Sequence, residues 1–471
     1  MIRFSSRPHL FVAAFAGVCL LADPRAGGTQ DMAAWLEPYR EAASRLVGAA
    51  LADHFAWRRL AELTDTFGHR LSGSPNLEAA IEWAVDRMTH DGLENVRSEP
   101  VMVPRWVRGR ESVEILEPVP RPLVMLGLGG SVGTPPGGLV ADAIVVSGFA
   151  DLEARAREVP GRIVVFNVPY TGYGQTVQYR AGGASRAARM GAVAALVRSV
   201  GPTGLRTPHT GGLQYDSGVP GIPAAAISAE DAAQLQRLQD RGERVRLRLE
   251  MGARYLPEAE SANVVAEIVG RERPEEIVVV GGHLDSWDVG TGASDDAAGC
   301  IVTWEAVRLM KALGLRPRRT VRVVLFTNEE NGLRGGLAYR DRYRATLDQH
   351  VLMFEVDLGV FRPAGFGFSG SDRARGTVRQ IATLLAGLDM DRVVPSGGGA
   401  DIGPSVQAAG IPSMSLDVDA EQYFLVHHTP ADTVDRIDTV DTAKAVAAVA
   451  VMAYVVADMP ERLGTAASES R

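Results

Sequence analysis

From Ser261 onward, continuous apolar runs of strand length alternate with helical patterns, and this rhythm constrains the fold more than any other feature. The order is "ANVVAEIVG" (262–270), "EEIVVVGGHLDS" (275–286), helical "AGCIVTWEAVRLMKALGL" (298–315), "RTVRVVLFTNEE" (319–330), a helix from Gly335, "HVLMFEVDLG" (350–359) and helical "GTVRQIATLLAGL" (376–388). Strands that are apolar throughout, rather than at every second residue, must be covered on both faces, as in a parallel sheet between helices. The predicted class is therefore α/β, with a mixed, mostly parallel sheet flanked by helices. The apolar stretch 439–459 carries Lys444 and follows a soluble domain, which predicts a buried helix and no stable membrane insertion.

A chain of 471 residues is too long for one simple core. The segment "NLEAAIEWAVDRMTHDGL" (76–93) has helical spacing with Gly92 as a stop, and "NVRSEPVMVPRW" (95–106) reads as extended. Residues 115–255 form a different block, rich in Gly and Pro, with buried-strand candidates in "GRIVVFNV" (161–168), "GAVAALVRSV" (191–200) and "GIPAAAIS" (221–228). In "RVRLRLE" (244–250), Val245, Leu247 and Leu249 alternate as in a half-buried strand. The block holds no cluster of His, Asp, Glu or Cys at ligand spacing, and its His209 reads as a surface loop residue.

Arg3 and Arg7 precede the apolar stretch 10–21, followed by Ala22, Asp23 and Pro24. This pattern predicts a secretory signal peptide over 1–24 and a periplasmic or secreted protein, with an uncleaved anchor as the alternative. Val18 before Cys19 disfavours a lipoprotein box. Once the signal has left, Cys300 is the only cysteine, so no internal disulfide can form, and its place in "AAGCIVTW" predicts a small buried hydrophobe. A net charge of −8 disfavours nucleic acid as a partner.

In α/β sheets ligands bind beyond the carboxyl ends of the strands. Those ends collect nearly all the unusual charged residues: His283 and Asp285; Asp295 and Asp296 after a Gly-rich loop; Glu329 and Glu330; Asp357; and His427 and His428 before the final helix. Imidazole and carboxylate donors without thiolate suit zinc, cobalt or manganese. Carboxylates that repel one another in a low-dielectric cleft become favourable around divalent cations. Each motif also has a plain structural reading: a polar loop at "HLD", an N-cap at "SDDAAG", a solvated turn at "NEEN" and a surface pair at "HHT". It is their common place at strand or helix ends that favours a two-metal site.

The segments "GGHLDSWDVGTGASDDAAG" (281–299), "VVLFTNEENG" (323–332), "FEVDLGVFRPAGF" (354–366), "GGGADIGP" (397–404) and "YFLVHHTPADT" (423–433) resemble the di-zinc exopeptidases, the family that includes bacterial leucyl aminopeptidases. The likeness covers most of 260–440 and is nearest to the carboxypeptidase branch. It implies a peptidase domain over 30–114 and 256–462, a protease-associated α+β insert over 115–255, and a disordered tail from 463. It further implies two zinc ions, one held by His283 and Asp357, the other by Glu330 and His428, with Asp295 bridging both.

By the same resemblance Glu329 is the general base, and Asp285 orients the His283 imidazole, as metal-bound histidines require. Spacing alone leaves His427 and His428 open; the family frame selects His428, with Asp432 supporting its loop and Asp401 structural or supporting. The implied reaction is hydrolysis of dipeptides or terminal residues of short peptides by a metal-activated water. An aminopeptidase specificity and a metal-dependent amidohydrolase or deacylase are the alternatives. The latter usually carry a dimerisation domain between their last two ligands, where this chain has only a helix, "GGGADIG" and a strand. A non-enzymatic binding protein on the same fold would lack ligands that are all present here. A homodimer is implied by the resemblance only.

Overall fold

The computed structural model describes residues 34–202 and 204–464, so the expected signal peptide and nearly all of the expected tail lie outside the described residues. These residues build two eight-stranded sheets. The first runs, edge to edge, Glu94–Val107, Arg254–Ile268, Arg319–Phe326, Arg273–His283, His350–Glu355, Ser413–Asp417, Gly365–Ser369 and Arg392–Pro395. Its centre, Arg319–Phe326 against Arg273–His283 against His350–Glu355 against Ser413–Asp417, is parallel, with antiparallel pairings to either side. The predicted mixed sheet flanked by helices is therefore the observed one.

Side chains alternate between the faces of a strand, and here both sets are apolar. Val264, Val278, Val280, Val321 and Val323 face the larger cluster, under the helices Ala298–Ala312 and Thr439–Asp458. Val265, Val279, Val324, Phe326 and Met353 face a smaller cluster, with Tyr339 of the helix Arg334–Arg342. Among the described residues Thr439–Asp458 is the one helix long and apolar enough to cross a membrane, but it is a core helix with 78% of its apolar window buried. Asp438 starts it by accepting from Val440 N and Asp441 N. Cys300 is a free, buried thiol in the same cluster. Leu463, expected at the start of a disordered tail, is instead 3% exposed and packed on that core.

The second sheet is built between Glu111 and Met251, in the order Arg121–Leu123, Glu111–Glu117, Arg246–Met251, Leu139–Val146, Ile163–Phe166, Ala194–Arg198, Ala224–Ile227 and Met125–Gly127. Leu139–Val146 through Ala224–Ile227 are parallel. Apolar clusters lie on both its faces, and one of them takes in Leu71, Trp106 and Trp287 from outside the sheet.

Candidate metal centre

In a parallel pair the strand ends fall level, so residues far apart in sequence meet at one edge. His283 pairs with Phe326 at the last rung of two central strands, and Thr327–Glu330 and Asp357 continue just beyond. Asp295 and Asp296 enter from the start of the helix Ala298–Ala312, and His427 follows the short helix Ala420–Val426, which Asp419 caps by accepting from Glu421 N and Gln422 N.

Asp295 stands at the middle. Its Oδ1 lies 3.3 Å from His283 Nε2 and its Oδ2 3.1 Å from His428 Nε2. His283 Nε2 is also 3.2 Å from Asp357 Oδ1 and 4.0 Å from Glu329 Oε2, while His428 Nε2 is 3.0 Å from Glu330 Oε2. One carboxylate thus separates two pairs, His283 with Asp357 and His428 with Glu330. His427 stacks on His428 with ring centroids 3.5 Å apart, and its Nε2 is 3.8 Å from Asp295 Oδ2. By separation alone, donor atoms of Asp295, His427 and His428, and of His283, Asp296 and Asp357, each fall within 4.8 Å of one another.

Asp296 is otherwise engaged: its Oδ2 accepts from His283 N at 3.0 Å and its Oδ1 from Gly299 N at 3.0 Å. The capping reading of "SDDAAG" therefore holds for Asp296, while the Asp295 carboxylate faces the two imidazoles. A Cβ on Gly282 would lie 2.2 Å from Asp296 Oδ2, so only glycine admits this contact.

Three expectations need correction or refinement. The Asp285 carboxylate does not hold the His283 ring: its oxygen is 3.8 Å from Nδ1, which instead meets the Asp285 main-chain carbonyl at 2.9 Å. The carboxylate accepts from Glu329 N, Glu330 N and Ser72 Oγ at 3.0, 3.3 and 3.1 Å, and so shapes the acidic loop. His209 is not at the surface but buried, with Nδ1 2.6 Å from the His427 carbonyl. Asp432 accepts from Ser294 N, Ser294 Oγ and Asp295 N, which fixes the loop carrying Asp295. Asp401 is buried beside Glu355 with both carboxylate oxygens lacking a hydrogen-bond partner among the described residues.

Sequence reasoning missed Ser72, Trp287, Thr210 and Tyr423. Trp287 N donates to Glu330 Oε1 at 3.2 Å. Burial, reinforced by the carboxylates of Asp295, Asp357 and Glu330, pushes the Tyr423 phenol well up, which sets it against the cluster. The one signal for Thr210 was "RTPHTGG" (206–212), a lone histidine and two glycines in a block without ligand spacing.

The electrostatics are those of crowded acids. Burial and Asp295 push Glu330 up to about 7, and burial with Asp357 and Glu330 pushes Glu329 well up. Burial alone would lower His428, but Glu330 and Asp295 outweigh it and raise it to about 10. Burial would raise Asp295 too, yet the two imidazoles on either side hold it well below the carboxylate range. Burial holds His427 well below the usual imidazole value, with His428 adding to it. Asp295 Oδ2 also lacks a hydrogen bond of proper geometry among the described residues, although His428 Nε2 is close. Nitrogen and oxygen donors that crowd without satisfying one another fit divalent cations of the zinc, cobalt or manganese kind.

Such a donor set at the strand ends of an α/β sheet is what a metal-dependent enzyme needs. The profile of peptidase family M28 matches residues 263–454. Carboxypeptidase Q of Mus musculus is 47% identical over 428 residues, covering 90% of this chain and 91% of that one. Carboxypeptidase Q of Homo sapiens is 46% identical over 412 residues, covering 88% and 87%. The crystal structure of a peptidase M28 precursor from Shewanella amazonensis SB2B superposes with a TM-score of 0.86 at 37% identity, covering 91% of this chain and 98% of that one. BSAP, a zinc aminopeptidase from Bacillus subtilis, shares the fold with a TM-score of 0.66 at 20% identity, covering 87% and 96%. The chain belongs to peptidase family M28, and the expectation of a metallo-exopeptidase holds.

Proposed function

We propose that the protein is a di-zinc exopeptidase that removes a terminal residue from short peptides or splits dipeptides. The observation that carries this reading is Asp295, with one oxygen toward His283 and Asp357 and the other toward His428 and Glu330. His283 and Asp357 would hold one cation, Glu330 and His428 the second, and Asp295 would bridge them. When bound, the two cations supply Lewis acidity, lowering the pKa of a water toward about 7 and favouring charge on the scissile carbonyl oxygen.

Glu329 is the general base. Its side chain is 20% exposed, against 3% for Glu330, so it opens to the cleft where Glu330 turns inward. It takes a proton from the attacking water and passes it to the leaving amine nitrogen. Asp285 holds the loop that carries both glutamates by accepting from their N–H groups. The region 115–255 acts as a protease-associated insert that confines the cleft to short peptides or chain ends, on a peptidase domain of 30–114 and 256–462. Resemblance supports a homodimer, and the sequence 1–24 supports export to the periplasm or beyond.

The similarity to carboxypeptidase Q favours recognition of a free C-terminal carboxylate. A dipeptide panel with N-blocked and C-amidated members tests this on the zinc-loaded protein. Loss of cleavage on amidation alone supports the carboxypeptidase or dipeptidase reading, and loss on N-blocking alone makes the enzyme an aminopeptidase. No cleavage of any peptide would overturn both.

A further inference from the structure

The two imidazoles of the centre are held from different parts of the molecule. His283 Nδ1 meets the carbonyl of Asp285, in the loop that continues its own strand. His428 Nδ1 meets the carbonyl of Thr210 at 3.2 Å, and Thr210 belongs to the loop that follows Ala194–Arg198 in the second sheet. The contact is a double one, because Thr210 N donates back to the His428 carbonyl at 3.0 Å. Beside it, His209 Nδ1 donates to the His427 carbonyl. Two consecutive residues of a loop of the second sheet thus grip the two consecutive residues that follow the helix Ala420–Val426.

The grip is itself anchored. His209 N donates to Ser199 Oγ at 2.8 Å, and Thr210 Oγ1 donates to the Gly127 carbonyl at 2.7 Å. The guanidinium of Arg180 donates to the Thr210 carbonyl at 3.2 Å. The His209 ring lies so close over Gly201 that a Cβ there would stand 2.3 Å from Nε2. Glu330 is steered from the same quarter: its partner Trp287 packs its ring on Gly129 and joins the apolar cluster of the second sheet. The far nitrogen of a metal-binding imidazole sets its tautomer and aim, and loss of such a partner typically weakens metal binding by about 10- to 100-fold.

We propose that His209 and Thr210 are positioning residues for His428, so that the second sheet governs one of the two cation positions and leaves the other to the first sheet. The proposal rests on the reading of His428 and Glu330 as ligands. Its consequence is that the second sheet is part of the metal centre as well as a cover over it.

The test is zinc titration of the chelator-stripped full chain by calorimetry, with the thermal transition of the stripped protein recorded alongside. The native protein is expected to show two binding steps; fewer than two would overturn the ligand reading itself. His209→Ala, which frees the His427 carbonyl beside His428 but leaves the Thr210 carbonyl in place, is expected to weaken one step by about 10-fold, the low end for lost support of a ligand, and leave the other unchanged. His209→Asn, which keeps an N–H near the place of Nδ1, is expected to recover most of that loss. Gly201→Ala, which crowds the ring, is expected to act in the same direction and decides the matter should His209→Ala fail to fold. Two steps of native affinity in a folded His209→Ala protein would overturn the proposal, as would an equal loss in both steps.

Discussion

Both sheets have eight strands and a run of parallel ones at the centre, yet their strand ends carry different chemistry. In the first, the ends bring His283, Glu329, Glu330 and Asp357 together. In the second, the corresponding parallel strands are followed by Ser147, Asn167, Ser199 and Ser228. These are hydroxyls and an amide, and each is spent on local structure. Ser147 bonds Asp151, Asn167 accepts from Arg198, Ser228 caps a helix, and Ser199 holds His209. Similar topology offers an edge where ligands can bind, but only side chains that can hold a cation turn that edge into a reactive centre. Fold alone would have given the two sheets equal claim to the chemistry.

The sharpest way to break this comparison is within the acidic loop of the first sheet. Glu329→Gln is expected to lower kcat by about 10²- to 10⁴-fold while both cations stay bound. Glu330→Ala is expected to cost one cation per chain. Steady-state kinetics with elemental analysis of the purified variants checks both, and equal metal loss in the two would show the pair to be wrongly assigned.

A second test asks whether the second sheet is a stability unit of its own. Leu196 is fully buried at its centre, and Leu196→Ala is expected to destabilise by about 2–5 kcal/mol. Urea unfolding followed by a probe in each sheet reads this. If the first sheet's transition moves as far as the second's, the two are one cooperative unit and the comparison is of edges only.

The strand that ends near Asp357 begins at His350, far from the centre, and carries a pH liability there. Burial, with the Arg322 guanidinium adding to it, lowers the His350 pKa from 6.5 to about 4. The unfolded chain therefore binds a proton that the folded chain refuses. The stability contributed by this group is intact above pH 6.5 and is lost as pH falls from there to about 4, on the order of 3 kcal/mol in all. His350→Gln is expected to flatten that part of the stability–pH curve; an unchanged slope would place the liability elsewhere. The smallest expected effect is at the helix Thr439–Asp458, where Asp438→Ala removes the cap and should cost about 1 kcal/mol, read as a shift in the denaturant midpoint.

Much of the first sheet was legible because burial on both faces leaves a continuous apolar signature, and "VVLFTNEENG" (323–332) shows where it stops. The gathering of His283, Asp285, Asp295, Asp296, Glu329, Glu330, Asp357, His427 and His428 was legible for a related reason, since acids crowded at strand ends are unfavourable without a use, but the choice of five ligands among them came only from the family resemblance. Asp295 and Asp296 were not separable by local pattern, since either could cap a helix; the resemblance alone favoured Asp295, and the reach of Asp296 to His283 N and Gly299 N shows what its neighbour does instead. His427 and His428 are adjacent and chemically identical, so which one faces Glu330 is a matter of backbone direction at the end of the helix Ala420–Val426.

The sequence by itself determined the class of fold, the types of donor and the loops that carry them, because hydrophobic periodicity and ionisable residues are local properties. Tertiary structure alone decided that Asp285 serves the glutamates more than the imidazole, and that His209 lies buried against His427. Those contacts join residues far apart in the chain through main-chain groups, which every residue carries and no sequence pattern marks.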